Sequence, residues 1–446
     1  MKFKNILTFL IIISCMLLSC QTKKEIINIP SNPNDTIIQE ENTNNQELKV
    51  YKNRILNQNI KTLLCYKEEN PQSLPIINLG SDEKLLIQFD DLNEKIQEYY
   101  FTIIHCNENW TESDLMQSEY INGFTENRII NYELSFNTIQ KFTHYSFTFP
   151  NTETQPIISG NYVFKIYKKN GEIVAYKKFM ILDKKVSILA EVRKGTLAEN
   201  RKTKHEVDFS IVHPNIVIAD PFSDIKVHIK QNNREDNAIT DLLPLFVKND
   251  MLVYDYDEEN NFWGNNEFRY FDTKSLRYQS EKIKSITYQD SANHIYLFND
   301  DKRSFNKYSI QPDINGGFLI DSQEGRIPAI EADYGWVHFS IPIEEVPYGE
   351  IYLFGFFSEW DIKDEFKLSY NNKKNTYEAS VYLKQGYYNY LYALKDSTTN
   401  MIDTKFIEGT HYQTRNDYYL YIYYRGVGDK YDRLIGFLKT SSKELF

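Results

Sequence analysis

The sequence predicts an all-β protein: tandem immunoglobulin-like β-sandwich domains behind an export signal and a flexible tether. Three observations carry this. Of 446 residues, 34 are Tyr and 28 are Phe, types that suit half-buried pleated strands. Short alternating segments follow one another closely, with no long amphipathic helix between them. Asn170-Gly171 separates two such segments, the strongest local signal for a hairpin.

Residues 1–19 read as an export signal. Lys2 and Lys4 precede an apolar stretch from Ile6 to Leu18 that is too short for a spanning helix. Leu17-Leu18-Ser19-Cys20 resembles the bacterial lipobox, which makes Cys20 the lipidated first residue of the mature chain. Residues 20–47 are rich in Asn, Glu and Thr and lack apolar periodicity, so they form a tether with a root-mean-square span of roughly 30 Å. No acidic cluster follows Cys20. The expected location is therefore the periplasm, with the anchor in the inner leaflet of the outer membrane. No run of 18 apolar residues follows the signal, so no helix is expected to span a membrane.

Strand signals begin near residue 48. Residues 98–106 (EYYFTIIHC) are aromatic and β-branched, and 161–167 alternate. Residues 173–181 return as the hairpin partner of 161–167. Residues 225–230 alternate, and 418–425 are almost purely Tyr and β-branched. Composition places three units at 48–185, 186–332 and 333–446. The third carries YLFGFFSEW at 352–360 followed by two Tyr-rich strands, and resembles the early-set immunoglobulin-like domains found beside glycan-active enzymes. Some of those bind starch or glycogen through exposed aromatics, which would put Trp360 or Tyr388 against a sugar. Closure of the core by both rings is the favoured reading, because aromatics in strands usually pack.

The net charge of -11 argues against a nucleic-acid partner, which needs a basic surface. No GxSxG, HExxH, GxxxxGK[ST] or GxGxxG after a strand is present, and eight His are scattered without ligand spacing. No catalytic residue, metal, cofactor or small-molecule substrate is expected. Asp313-Ile314-Asn315-Gly316-Gly317 reads as a β-turn, and Asp90-Asp91 and Asp300-Asp301 as acids on solvated turns. Cys65 and Cys106 fall in one unit of an exported protein, so a bridge and two buried thiols both stand open. Arg269 and Arg277, eight apart on similar segments, read as a paired structural clamp. Trp110, Arg269, Arg277 and Trp360 are the candidate interface residues.

Several segments, in this order, resemble the plug protein family of the type IX secretion system of Bacteroidetes-type bacteria. They are Phe89-Asp90-Asp91-Leu92, the HCNENW…SDL loop at 105–115, SFNT…HY…PN at 135–151 and SGNY at 159–162. QNNREDNAI, NEFRYFDTKSLR, YLKQGYYNYLY at 382–392 and EGT at 408–410 continue the series. Arg234-Glu235 stands where the family would have Arg-Trp. The resemblance implies a non-catalytic, all-β periplasmic protein whose partner is the outer-membrane translocon barrel, and whose task is to close that pore when no cargo is engaged. The competing expectation is an envelope glycan-binding lipoprotein that uses its third unit. Membrane attachment through Cys20 rests on residues 1–20 alone.

Overall fold

The computed structural model describes residues 49–93 and 95–442. The export signal, Cys20 and the tether to residue 47 lie outside the described residues. No helix among the described residues is long and apolar enough to cross a membrane.

The first sandwich follows directly from the alternating segments. One sheet orders Ile60–Lys67, Leu85–Asp91, Thr143–Phe149 and Asn131–Leu134. The facing sheet orders Arg54–Ile55, Ile173–Leu182, Gly160–Lys168, Tyr99–Cys106 and Asn127–Ile129. Ile76–Asn78 joins it in parallel at Met180–Leu182. Inward rings fill the space between the sheets, with Phe101 stacked on Phe147 at 4.2 Å and Phe164 on Phe179 at 4.1 Å. The expected hairpin is present. Only Gly171 takes a positive φ there, at 85°, and Lys168 accepts its N–H, so a glycine bulge closes the turn.

The other two sandwiches are nested, not consecutive. Ser187–Lys194, Lys204–Val212, Met251–Tyr254 and Phe246–Lys248 form one sheet, and Asn261–Trp263 adds to Lys204–Val212. The sheet facing it consists of Ile225–Gln231, Asp417–Tyr424 and Arg433–Ser441. The C-terminal strands therefore complete the sandwich that residue 187 begins, and the third sandwich lies between them in sequence. Its outer sheet orders Ile283–Gln289, Ala292–Leu297, Tyr334–Ile341, Thr376–Lys384 and Ser369–Asn371. Its inner sheet gathers Arg269–Asp272, Phe318–Ile320, Gly349–Phe354 and Ile402–Asp403 around Gly386–Asp396. A cut at 332/333 would sever Ile225–Gln231 from Asp417–Tyr424, and Arg269–Asp272 from Gly386–Asp396. Periodicity reports strands and not their partners, so pairings between residues this far apart leave no local mark.

Asp417–Tyr424 is buried on both faces. Tyr418, Leu420 and Ile422 pack in the core of their own sandwich, and Tyr419, Tyr421 and Tyr423 pack against Val163, Met180 and Leu182 of the first. The hydroxyls on that second face are not left bare: Tyr423 donates to Asn161 Oδ1 at 2.9 Å and Tyr421 to Asn233 Oδ1 at 2.8 Å.

The first and third sandwiches meet over Asp90. Contrary to the expected solvated turn, Asp90 and Asp91 end the strand Leu85–Asp91 and are 1% and 0% exposed. Asp90 Oδ2 accepts from Lys384 Nζ at 2.6 Å and from the Tyr334 hydroxyl at 2.7 Å, and Oδ1 accepts from His144 Nδ1 at 2.7 Å. Burial alone would raise this carboxyl, but Lys384 and His144 hold it below the usual carboxylate range. Both members of the Asp90–Lys384 pair are almost wholly removed from water. Removing one therefore strands the other: Lys384→Met is expected to cost about 3–5 kcal/mol in urea unfolding. Lys384→Met with Asp90→Asn is expected to recover much of that loss, which a double-mutant cycle reads directly.

Candidate interaction surface

The sequence-predicted site residues divide into three inside and one outside. Trp110 is 5% exposed, at a φ of 66°, with Lys178 Nζ at 4.2 Å over its ring. Trp360 is buried against Phe354 and Phe268. Tyr388 is also buried, stacked on Phe271 and Phe318. The two rings considered for sugar stacking are thus core residues.

Arg269 forms a clamp without Arg277. It reaches Glu408 at 3.0 Å, Asp300 at 2.9 Å and the Asp301 carbonyl at 2.7 Å. Burial would raise the Glu408 carboxyl, but Arg269 and Arg303 hold it down. Asp300 also accepts from the Tyr390 and Tyr392 hydroxyls; it lies half-buried in the loop after Ala292–Leu297, beside an exposed Asp301, so an acid on a turn also organises the clamp. Arg277 is exposed, and its backbone N–H donates to Ser275 Oγ at 3.2 Å. The pairing of the two arginines therefore fails. The eight-residue spacing runs past the end of the strand Arg269–Asp272, and only Arg269 points inward.

Cys65 and Cys106 are both free and buried, so no bridge joins them. They sit in different sheets of the first sandwich, and burial pushes each thiol up to about 12. Asp313 confirms the turn reading: its oxygens accept from the N–H groups of Phe268 and Asn315.

The polar loops singled out in the sequence serve as clamps between sandwiches. Glu108 accepts from Lys226 and His228, both at 2.9 Å, and its N–H donates to Asp432. Burial would raise this carboxyl, but the His228 and Lys226 contacts outweigh it and bring it to about 2. Glu235, in place of the family's expected Trp, accepts from Lys230 at 2.9 Å and Lys178 at 3.3 Å.

With the interior groups so engaged, the outside shows an unpartnered apolar stripe. Among the described residues, Asn131–Leu134 is an edge strand that pairs only with Thr143–Phe149, and all four of its residues are exposed. Tyr132 and Leu134 share one face, preceded by Ile130 and followed by Phe136 and Ile139, all exposed. The loop after the strand is fixed, not loose. Phe136 N–H donates to the Ile330 carbonyl at 2.9 Å, and the N–H groups of Ile139 and Gln140 donate to Asp333 at 2.7 and 3.1 Å. Tyr382 donates to Gln140 Oε1, and its ring meets Trp336, itself 38% exposed. The stripe thus crosses the seam from the first sandwich to the third. A second exposed edge carries Leu243, Leu245, Phe246 and Val247. Neither edge was among the residues predicted from sequence. The usable signal was apolar alternation in 130–136 without a second strand to cover it.

Comparison with known proteins bears on this surface. A family model described as "Type 9 secretion system plug protein 1st domain" matches residues 60–183. The crystal structure of a hypothetical protein from Parabacteroides merdae superposes with a TM-score of 0.86 at 32% identity, covering 88% of this chain and 100% of that one. No curated protein matches the sequence.

Two outcomes follow from the geometry. Leu134→Lys and Phe136→Glu lie at exposed positions, so each is expected to change folding stability by less than about 0.5 kcal/mol in chemical denaturation. The second concerns pH. Burial pushes His105 and His205 from 6.5 down to about 4. His205 Nε2 faces the Tyr412 carbonyl, so this ring sits as the neutral tautomer, its Nδ1 accepting from Tyr418. The unfolded chain takes up these protons near pH 6.5 and the folded chain only near pH 4. Each ring is therefore expected to contribute a loss of up to about 3 kcal/mol as pH drops through that window, opposed by Glu267 and Asp208, whose carboxyls burial raises to about 7 and about 6; the His205 share is read as the difference between the chain and His205→Gln in urea unfolding at stepped pH.

Proposed function

The chain belongs to the type IX secretion system plug protein family, and on that premise we propose that it is a non-catalytic stopper that closes the periplasmic mouth of the translocon barrel. The observation that carries this reading is the exposed apolar stripe from Tyr132 to Ile139, held rigid where two sandwiches join and continued by Trp336. Exposed apolar residues gathered on a fixed scaffold mark a contact surface. A stopper also needs a body that does not yield, and three sandwiches tied by buried ion pairs and a doubly buried strand meet that need. Closing a pore takes bulk and fit and no reacting group. The lipid at Cys20 would confine the body to the membrane and raise its local concentration at the barrel.

Deletion of the gene is expected to make the outer membrane permeable to large antibiotics only while the barrel is present. Leu134→Lys with Phe136→Glu is expected to reproduce that leak with the protein still folded and anchored. Unchanged permeability in the deletion strain, or full closure by the doubly charged variant, would count against the reading.

A further inference from the structure

A cleft inside the body has the features of a strand-accepting site. Phe318–Ile320 is hydrogen-bonded on one side only. Toward Gly386–Asp396, the Gly317 carbonyl accepts from Asn389 N–H at 2.9 Å and Asp321 N–H donates to the Gln385 carbonyl at 3.3 Å. Alternate residues of an antiparallel ladder face one neighbour, so Phe318 and Ile320 turn their backbone N–H and C=O groups the other way. On that side no strand pairs among the described residues. Gly317–Ile320 instead line a cavity of about 510 Å³. Ile60–Lys67, the edge strand of the first sandwich, lends Thr62, Leu64 and Tyr66 to the same lining. Two open sheet edges thus border one cavity.

Two polar atoms in the lining residues are buried and make no hydrogen bond: Trp360 Nε1 and Asn315 Oδ1. Trp360 is 6% exposed, and its N–H can only donate; the Asn315 oxygen can only accept. Buried groups of this kind are rarely left unmatched. The lysines around the cavity already have partners: Lys384 with Asp90, Lys177 with Glu359 at 2.6 Å and Lys439 with Asp417 at 2.9 Å. Among the described residues, an anionic occupant would find no free cation, and the Asp313 oxygens in the lining are taken by the N–H groups of Phe268 and Asn315. The cavity shares Thr62, Lys177, Phe318, Phe356 and Lys384 with a neighbouring one of about 930 Å³, so the cleft is elongated.

We propose that this cleft binds an extended, uncharged peptide segment, which adds as a strand to Phe318–Ile320 and offers an amide carbonyl to Trp360 Nε1 and an amide N–H to Asn315 Oδ1. Main-chain bonds to an open edge supply affinity, and the apolar walls select side chains. The site is independent of the stripe from Tyr132 to Ile139, so it stands or falls apart from pore closure.

The test uses the full chain and a fluorescent, acetylated and amidated peptide of alternating Ser and Val. Saturable binding is expected, with slowed hydrogen exchange at the amides of Phe318 and Ile320. Ile320→Pro removes an N–H that faces away from Gly386–Asp396, so the ladder survives while binding weakens about tenfold or more. Trp360→Phe keeps a ring and loses the donor, weakening binding about fivefold. Matching melting temperatures establish that the variants fold; if Ile320→Pro does not, Trp360→Phe and the amide protection decide. Absence of saturable binding, affinity unchanged in the folded variants, or protection confined to other strands would overturn the proposal.

Discussion

The strand Asp417–Tyr424 is the constraint on which the architecture rests. A strand buried on both faces must satisfy two cores at once. Tyrosine suits that position because its ring fills apolar space while its hydroxyl reaches a polar partner at the far wall. On one face, Tyr418, Leu420 and Ile422 close the second sandwich; on the other, Tyr419, Tyr421 and Tyr423 meet the first. Without this strand the second sandwich would lack the middle of one sheet, and the first would lose the surface on which it rests.

The buried charges follow the same logic. Asp90, Glu408 and Glu108 are each drawn from water, and each is returned to balance by cations from elsewhere in the chain. Such pairs add little net stability over apolar packing, but they penalise any arrangement that separates the partners. At Asp90 and Glu108 that penalty ties neighbouring sandwiches together, and at Glu408 it fixes the interior of the third. It also explains why the motifs rich in Asn, Asp, Glu and Arg, which catch the eye as chemistry, are occupied in holding the sandwiches together. The apolar residues from Tyr132 to Ile139 and at Trp336 are instead exposed among the described residues.

Much of the fold was legible in local pattern. The hairpin at Asn170-Gly171, the strand character of 98–106 and the turn at Asp313 needed only periodicity and turn chemistry. The clamp role of Arg269 was legible too, but not its burial or its separation from Arg277, because the spacing of two residues does not say where a strand ends. Asp90 was misread as a solvated acid. Its cation, Lys384, comes from a distant strand, and only a partner makes a carboxylate tolerable in a core. The edge stripe was missed because exposure is a property of what fails to pack above a residue.

The sequence alone determined that the chain is all-β, that its strands are rich in Tyr and Phe, and, through the order of its short motifs, which family it resembles. These follow from local backbone preference and side-chain alternation. Tertiary structure alone decided that the third sandwich is inserted within the second, that Cys65 and Cys106 stay apart, and that Trp110 and Trp360 face inward. Each of these depends on which distant segments meet, and that is settled by the shared burial of surfaces far apart along the chain.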